Sequence, residues 1–223
     1  FCCGPGEQNL YTMEKNGRRI PNIRQRSVSN VMEELIQLYD RYKFRSIVFH
    51  DDQFVMDPDW AQEFCEAMGN CGFVKRNVKW WAACRPDIIV RYEDLFKQMK
   101  EAGVKMLSVG FESFSDRLLK WINKGATVEQ NWEAVRILRR LGIQIYGNFM
   151  FGTPYSDGNW YPEDDIKTVR AIAQIRPEIV SCSFFTPIPG SYLYDFCVKN
   201  SLILSSGLRT VGLRSPSESK IRS

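Results

Sequence analysis

The side chains best suited to chemistry in this sequence stand just after short apolar runs. Glu112 closes the run Val104-Lys105-Met106-Leu107-Ser108-Val109-Gly110-Phe111. A carboxylate at the tip of a rigid strand suits a ligand hydroxyl, because a hydrogen bond to an ionised acceptor is about twice as strong as a neutral one. Gly110, two residues earlier, lets another group approach the strand closely. His50, the one histidine, follows Ser46-Ile47-Val48-Phe49 and precedes Asp51-Asp52. That acidic pair suits either a loop cap or a site for an ammonium group or metal. One histidine is too few for His-rich zinc chemistry, and no G-x-S-x-G accompanies it to make a serine triad. Arg85, between Cys84 and Pro86, suits either a surface pair with Asp87 or bidentate capture of a ligand carboxylate. Gly152-Thr153-Pro154 and Pro187-Ile188-Pro189-Gly190 end two more runs with stiff backbone. They read as structural turns or as strand-end N–H and C=O groups offered to a planar base.

Groups placed this way need elements to hold them. Ser27 or Asn30 caps a helix with Val28, Val31, Met32, Leu35, Tyr39 and Tyr42 on one side. Ser46–His50 reads as a strand, and Asp57-Pro58 opens a helix with Trp60, Phe64 and Met68 at spacing four. Strands follow at Val78–Cys84, Val104–Phe111, Ile143–Phe151 and Ile179–Phe185. Helices are expected over Tyr92–Ala102, from the capping box Thr127-Val128-Glu129-Gln130 to Gly142, over Asp164–Ile175 and over Tyr192–Asn200. Within the second of these, Trp132, Val135, Leu138 and Leu141 face inward.

Strands alternating with helices imply right-handed crossovers and a parallel sheet. An open doubly wound sheet would gather its polar residues at one crevice near a glycine-rich first turn, and no G-x-G-x-x-G follows any strand. Here nearly every strand carries polar residues to its C-terminal end, the rim where barrels build their sites. The expected fold is α/β, a partial (β/α)6 TIM-like barrel of parallel strands with the first strand missing. Residues 1–204 form its core, incomplete at the N-terminus, and 205–223 a disordered basic and serine-rich tail.

With 223 residues and 44% hydrophobic side chains, the chain has enough apolar surface for a core. The formal charge is +4, and +3 of it comes from the tail, where Arg209, Arg214, Lys220 and Arg222 face Glu218 alone. The rest is near neutral, so charge gives no case for nucleic acid. No apolar stretch approaches the roughly 20 residues of a membrane span. The seven cysteines are odd in number and mostly set in apolar runs. With no secretory signal, Cys65, Cys71, Cys84, Cys182 and Cys197 read as reduced core thiols in a cytoplasmic protein. An aldolase-type lysine is disfavoured, because Lys105 begins its strand rather than ending it.

Six stretches, in order, resemble the radical S-adenosylmethionine (SAM) superfamily, nearest the branch whose members often carry an N-terminal cobalamin-binding domain. They are Phe1-Cys2, Val48–Phe54, Ser108–Ser113, Ile122–Thr127, Gly147–Pro154 and Phe185–Ser191. The family motif is C-x-x-x-C-x-aromatic-C, three cysteines holding a 4Fe-4S cluster whose fourth iron is chelated by SAM. Phe1-Cys2 resembles its last two positions, making Cys2 a cluster ligand. The other two cysteines and the first strand are expected upstream, so this chain alone is expected to be inactive. After Gly152-Thr153-Pro154 the family continues Gly-Glu, whereas Tyr155-Ser156 follows here, which leaves that loop's conformation open.

The resemblance implies reductive cleavage of SAM to a 5′-deoxyadenosyl radical, with methyl transfer or cyclisation as the outcome. It implies a small-molecule substrate, a reductant such as flavodoxin or ferredoxin, and cobalamin through a domain absent from this chain. Asp51 or Asp52 would lie near the methionine amino group, Arg85 near its carboxylate, and Glu112 on the ribose. Phe1 and Asn148 join the cofactor-binding set, and backbone at Gly152 and from Thr186 to Pro189 would flank adenine. Two other readings stay open: a methylthiotransferase-like enzyme of the same superfamily, and a cluster-free nucleoside-binding barrel.

Overall fold

A computed structural model describes residues 25–203 and the backbone of residues 13–15 and 18–20. The tail at 205–223 and most of the segment before Gln25 lie outside the described residues. Two short strands, β1 (Met13–Lys15) and β2 (Arg18–Ile20), pair antiparallel. The sequence reading passed over this pair, although the Asn16-Gly17 dipeptide between them is a strong hairpin signal.

Five strands build the main sheet: β3 (Ser46–Val48), β4 (Lys79–Cys84), β5 (Val104–Glu112), β6 (Gln144–Phe151) and β7 (Ile179–Phe184). They pair in parallel in the order β3-β4-β5-β6-β7 and curl into a half-barrel. Strand order follows chain order without reversal, so the switch point of a doubly wound sheet is absent from it. The helices are α1 (Val28–Tyr42), α2 (Pro58–Asn70), α3 (Pro86–Arg91), α4 (Glu93–Glu101), α5 (Asp116–Trp121), α6 (Val128–Leu141), α7 (Pro162–Ile175) and α8 (Tyr192–Lys199), of which α2 to α7 cross over between successive strands of the sheet. Two short ones were not anticipated. Pro86 at the first helical position starts α3 directly after Arg85, and Asp116 opens α5.

Period-two burial sorts each central strand into two faces. Trp80, Ala82 and Cys84 of β4, Leu107, Val109 and Phe111 of β5, and Ile145 and Phe149 of β6 are buried in the main core with residues of the surrounding helices. The alternating residues Trp81, Ala83, Ser108, Gly110, Tyr146 and Asn148 are half-buried on the other face. Phe54, Phe64 and Trp80 pack edge-on or tilted within the main core, and the Trp80 indole donates to the Ala102 carbonyl at 2.9 Å. A second cluster joins Leu118, Leu119 and Ile122 of the α5 region to Met150, Tyr155, Phe185 and Leu193.

Three expectations are corrected. Tyr42, expected on the same side of the helix as Val28, Met32 and Leu35, is 60% exposed as the last residue of α1. Cys182 is exposed and Cys71 half-buried, since β7 is the outermost strand among the described residues and Cys71 follows the end of α2. Cys65, Cys84 and Cys197 are buried, and burial pushes their thiols up to about 12, about 12 and about 11.

Candidate functional site at the C-terminal tips of the strands

Glu112 ends β5 with φ +61°, in the left-handed region that glutamate seldom occupies. The Ser113 N–H donates to the Phe111 carbonyl at 2.8 Å, so Glu112 is the central residue of a three-residue γ-turn. The positive-φ form of that turn is rare and strained. The parallel register with β6 shifts at the same point: Gly110 faces Asn148, yet Glu112 faces Phe149. A bulge of this kind re-aims a side chain at a strand end.

The re-aimed carboxylate meets a cation from the next loop. Lys124 Nζ donates to Glu112 Oε1 at 3.0 Å, and the two side chains are only 10% and 16% exposed. Gly110 makes room for both. A β-carbon built there would sit 2.8 Å from Glu112 Oε1 and 2.9 Å from Lys124 Nζ. The groups that approach Gly110 closely are thus the protein's own.

Arg85 joins the same turn. Its guanidinium is paired with Asp87 at 2.9 Å and donates to the Lys124 carbonyl at 3.0 Å. It also crosses Gly125, where a β-carbon would come within 2.7 Å of Arg85 Nη2. The surface pair and the site role, weighed as alternatives in the sequence, therefore involve one side chain: Arg85 is tethered by Asp87 while it supports the loop that delivers Lys124. Gln53 ties the β3 loop to this corner, accepting from the Arg85 N–H at 3.0 Å and donating to the Val55 carbonyl at 3.0 Å.

Asn148 stands beside Gly110 on β6 and donates to Ser108 Oγ at 2.9 Å. Gly152, φ +69°, donates its N–H to Asp165 Oδ2 at 2.9 Å, and the Trp160 indole donates to the same oxygen at 2.8 Å. Burial raises the Asp165 carboxyl above its ordinary range, an effect these two hydrogen bonds oppose. Asp165 thus secures the loop that departs from the Gly-Glu pattern. Asp51, Asp52, Thr186 and Pro189 are exposed, and the Thr186 hydroxyl turns back to the Phe184 carbonyl at 3.4 Å. Phe1 and Cys2 lie outside the described residues. Among the described residues no group of three or more His, Cys, Asp or Glu side chains could hold a metal.

The structure therefore brings Arg85, Glu112 and Asn148 to adjacent strands. A cleft of about 490 Å³ lined by Arg117, Lys120, Trp121, Tyr155 and Tyr161 includes none of these tip residues. The sequence reading assigned no role to Lys124, Asn131, Thr168 or Asp165. Lys124 lies in the Ile122–Thr127 stretch of the family resemblance, but each of the four acts on a residue 12 or more positions away, so no local pattern shows its partner.

A family model described as the radical SAM superfamily matches residues 1–164. The chain is 29% identical over 183 residues to an uncharacterized methyltransferase of Pyrococcus horikoshii, covering 82% of this chain and 38% of that protein. It is 30% identical over 186 residues to the cytidylyl-2-hydroxyethylphosphonate methyltransferase of Streptomyces wedmorensis, covering 81% and 34%. The chain thus spans little more than a third of either relative. The structure of TsrM from Kitasatospora setae, a radical S-adenosylmethionine methyltransferase with cobalamin and a 4Fe-4S cluster bound, superposes with a TM-score of 0.58. That likeness is at 20% identity and covers 72% of this chain and 29% of TsrM.

Proposed function

From the premise that this chain belongs to the radical SAM superfamily, we propose that it is the SAM-binding half-barrel of a radical SAM enzyme that transfers a methyl group or closes a ring. When bound, the family's 4Fe-4S cluster supplies the electron that breaks a carbon–sulfur bond of SAM. Three features of the described residues fit the nucleoside part of SAM. A carboxylate and an ammonium lie together on a strand glycine, an asparagine stands beside them, and a positive-φ glycine ends the neighbouring strand. The fit of the cluster rests on Cys2 and on residues outside those described.

In this reading Glu112 accepts from the ribose hydroxyls, and Lys124, donating to Glu112 Oε1, holds that carboxylate over Gly110. Arg85, through the Lys124 carbonyl, sets the height of that ammonium over the sheet and lies toward the methionine carboxylate. Asp51 or Asp52 receives the methionine amino group. Asn148 orients the ligand from β6, while backbone at Gly152 and from Thr186 to Pro189 flanks adenine. A small-molecule substrate, an electron donor of the flavodoxin or ferredoxin kind, and cobalamin held by a separate domain complete the proposal. The methyltransferase relatives support methyl transfer, and the cobalamin-bound neighbour supports that last element.

The observation that carries the reading is the Glu112–Lys124 pair resting on Gly110 at the end of β5. The full-length protein, reconstituted anaerobically with iron and sulfide and reduced with SAM, is expected to release 5′-deoxyadenosine. Glu112→Ala should weaken SAM binding by about tenfold or more, the weight of one hydrogen bond to a charged group. A fully loaded cluster with no SAM cleavage would sink the enzymatic reading. Nucleoside binding that survived in such a protein would leave the cluster-free barrel in its place.

A further inference from the structure

Glu112 is held in its strained turn by a side chain from a distant helix. Asn131, in the first turn of α6, is fully buried. Its Nδ2 donates to the Phe111 carbonyl at 3.3 Å and to the Ser113 carbonyl at 3.0 Å, the peptide oxygens on either side of Glu112. Its Oδ1 is buried with no hydrogen-bond partner. An asparagine that leaves half of its amide unsatisfied in the core costs stability. The half that is satisfied is spent entirely on the turn around Glu112.

A second helix grips the same segment. Thr168 of α7, fully buried, places Oγ1 3.2 Å from Ser113 Oγ and accepts from the Phe114 N–H at 3.0 Å. Thr168 in turn donates to the Asp164 carbonyl at 3.1 Å. The segment after Glu112 is therefore anchored outside the sheet while the Glu112 side chain lies over Gly110. Left-handed backbone at a non-glycine residue persists only where its surroundings over-determine it, and such strain gathers at ligand sites.

We propose that Asn131 is a positioning residue for the nucleoside site: its amide clamps the two carbonyls flanking Glu112 and so aims that carboxylate at the ribose hydroxyls. This rests on the ribose reading of Glu112 given above. Without the clamp, the turn would relax toward negative φ and carry the carboxylate off Gly110. The prediction is specific, because a clamp of this kind should affect recognition of the hydroxyls and leave recognition of adenine alone.

The test is titration of the full-length protein with adenosine and with 2′,3′-dideoxyadenosine, read as the ratio of the two affinities. The wild type should favour adenosine by about tenfold or more, as expected of a hydrogen bond to a carboxylate. Glu112→Gln should lower that ratio. Asn131→Ala should lower it to the Glu112→Gln level with dideoxyadenosine affinity unchanged, and the double variant should lower it no further. If Asn131→Ala weakens both nucleosides in parallel, Asn131 is merely structural and the clamp is overturned. If Glu112→Gln leaves the wild-type ratio intact, or if the wild type shows no preference, the ribose reading itself fails. Should Asn131→Ala not fold, the isosteric Asn131→Asp is titrated in the same way. If neither folds, Asn131 is a folding requirement and the inference is lost.

Discussion

At the scale of single residues, the candidate site depends on what Gly110 lacks. A methyl group there would collide with Glu112 Oε1 and Lys124 Nζ, both far ends of flexible side chains. Such ends can swing aside at little cost, so Gly110→Ala should change stability by no more than about 1 kcal/mol. The displaced pair would no longer lie where the ligand is read, so SAM affinity should fall severalfold in calorimetric titration. Equal losses of stability and affinity would mean that the glycine serves packing alone. Asp165 shows the same economy at Gly152, where one carboxylate oxygen receives both a backbone N–H and the Trp160 indole. Asp165→Ala would leave that N–H without its partner, at a cost of about 1–3 kcal/mol by denaturant unfolding.

Among the elements, α6 links helix formation to the site. Thr127 accepts from the Gln130 N–H at 3.1 Å, and the Gln130 side chain accepts from the Thr127 N–H at 3.0 Å, a complete capping box. Gly142, left-handed at φ +64°, stops the helix at its other end. Asn131 follows directly in the first turn, its N–H bonded to the Thr127 carbonyl at 2.9 Å, so a frayed cap would loosen the clamp on Glu112. Thr127→Ala should cost about 1 kcal/mol in chemical denaturation, in line with the loss of a helix cap. The box and the terminal glycine were plain in the sequence, because both are local patterns. The short helices α3 and α5 were not, since six residues show less than two full turns of periodicity. Strand β7 misled in the opposite sense: its apolar run implied burial, yet Val180 and Phe184 are exposed, since among the described residues only β6 flanks it.

The whole molecule rests partly on a charged network at the junction of its two apolar clusters. Asp164 of α7, almost fully buried, accepts from the Tyr155 hydroxyl at 2.5 Å and from Arg117 at 2.7 Å, and pairs with Lys167 at 3.0 Å. The Arg117 guanidinium lies over both the Tyr155 and Tyr161 rings, which meet edge-on beneath it. Burial alone would raise the Asp164 carboxyl, but the hydrogen bonds from Tyr155, Arg117, Ser115 and Lys167 outweigh it and hold the group well below the usual carboxylate range. A carboxyl whose pKa is depressed by folding adds stability above its unfolded pKa and loses it as pH falls toward the folded value. Melting temperature should therefore drop between about pH 5 and pH 2, and Asp164→Asn should flatten that slope while lowering stability at neutral pH. An unchanged slope in the variant would place the acid sensitivity elsewhere. The carbonyl of Asp164 also receives the Thr168 hydroxyl, so this network reaches the Glu112 turn through α7.

The alternation of apolar runs with capped, amphipathic segments by itself settled the parallel α/β architecture and placed Arg85 and Glu112 at the ends of neighbouring strands. Those features follow from periods of 2 and 3.6 residues and from local caps, which a linear sequence displays directly. Tertiary structure alone decided that Lys124 covers Glu112, that Arg85 is tethered through Asp87 and the Lys124 carbonyl, and that Asn131 and Thr168 bracket the turn between them. Each of those contacts but the Arg85–Asp87 pair joins residues 12 to 54 positions apart, at distances set by how helices seat on a curled sheet, and no short-range pattern encodes that seating.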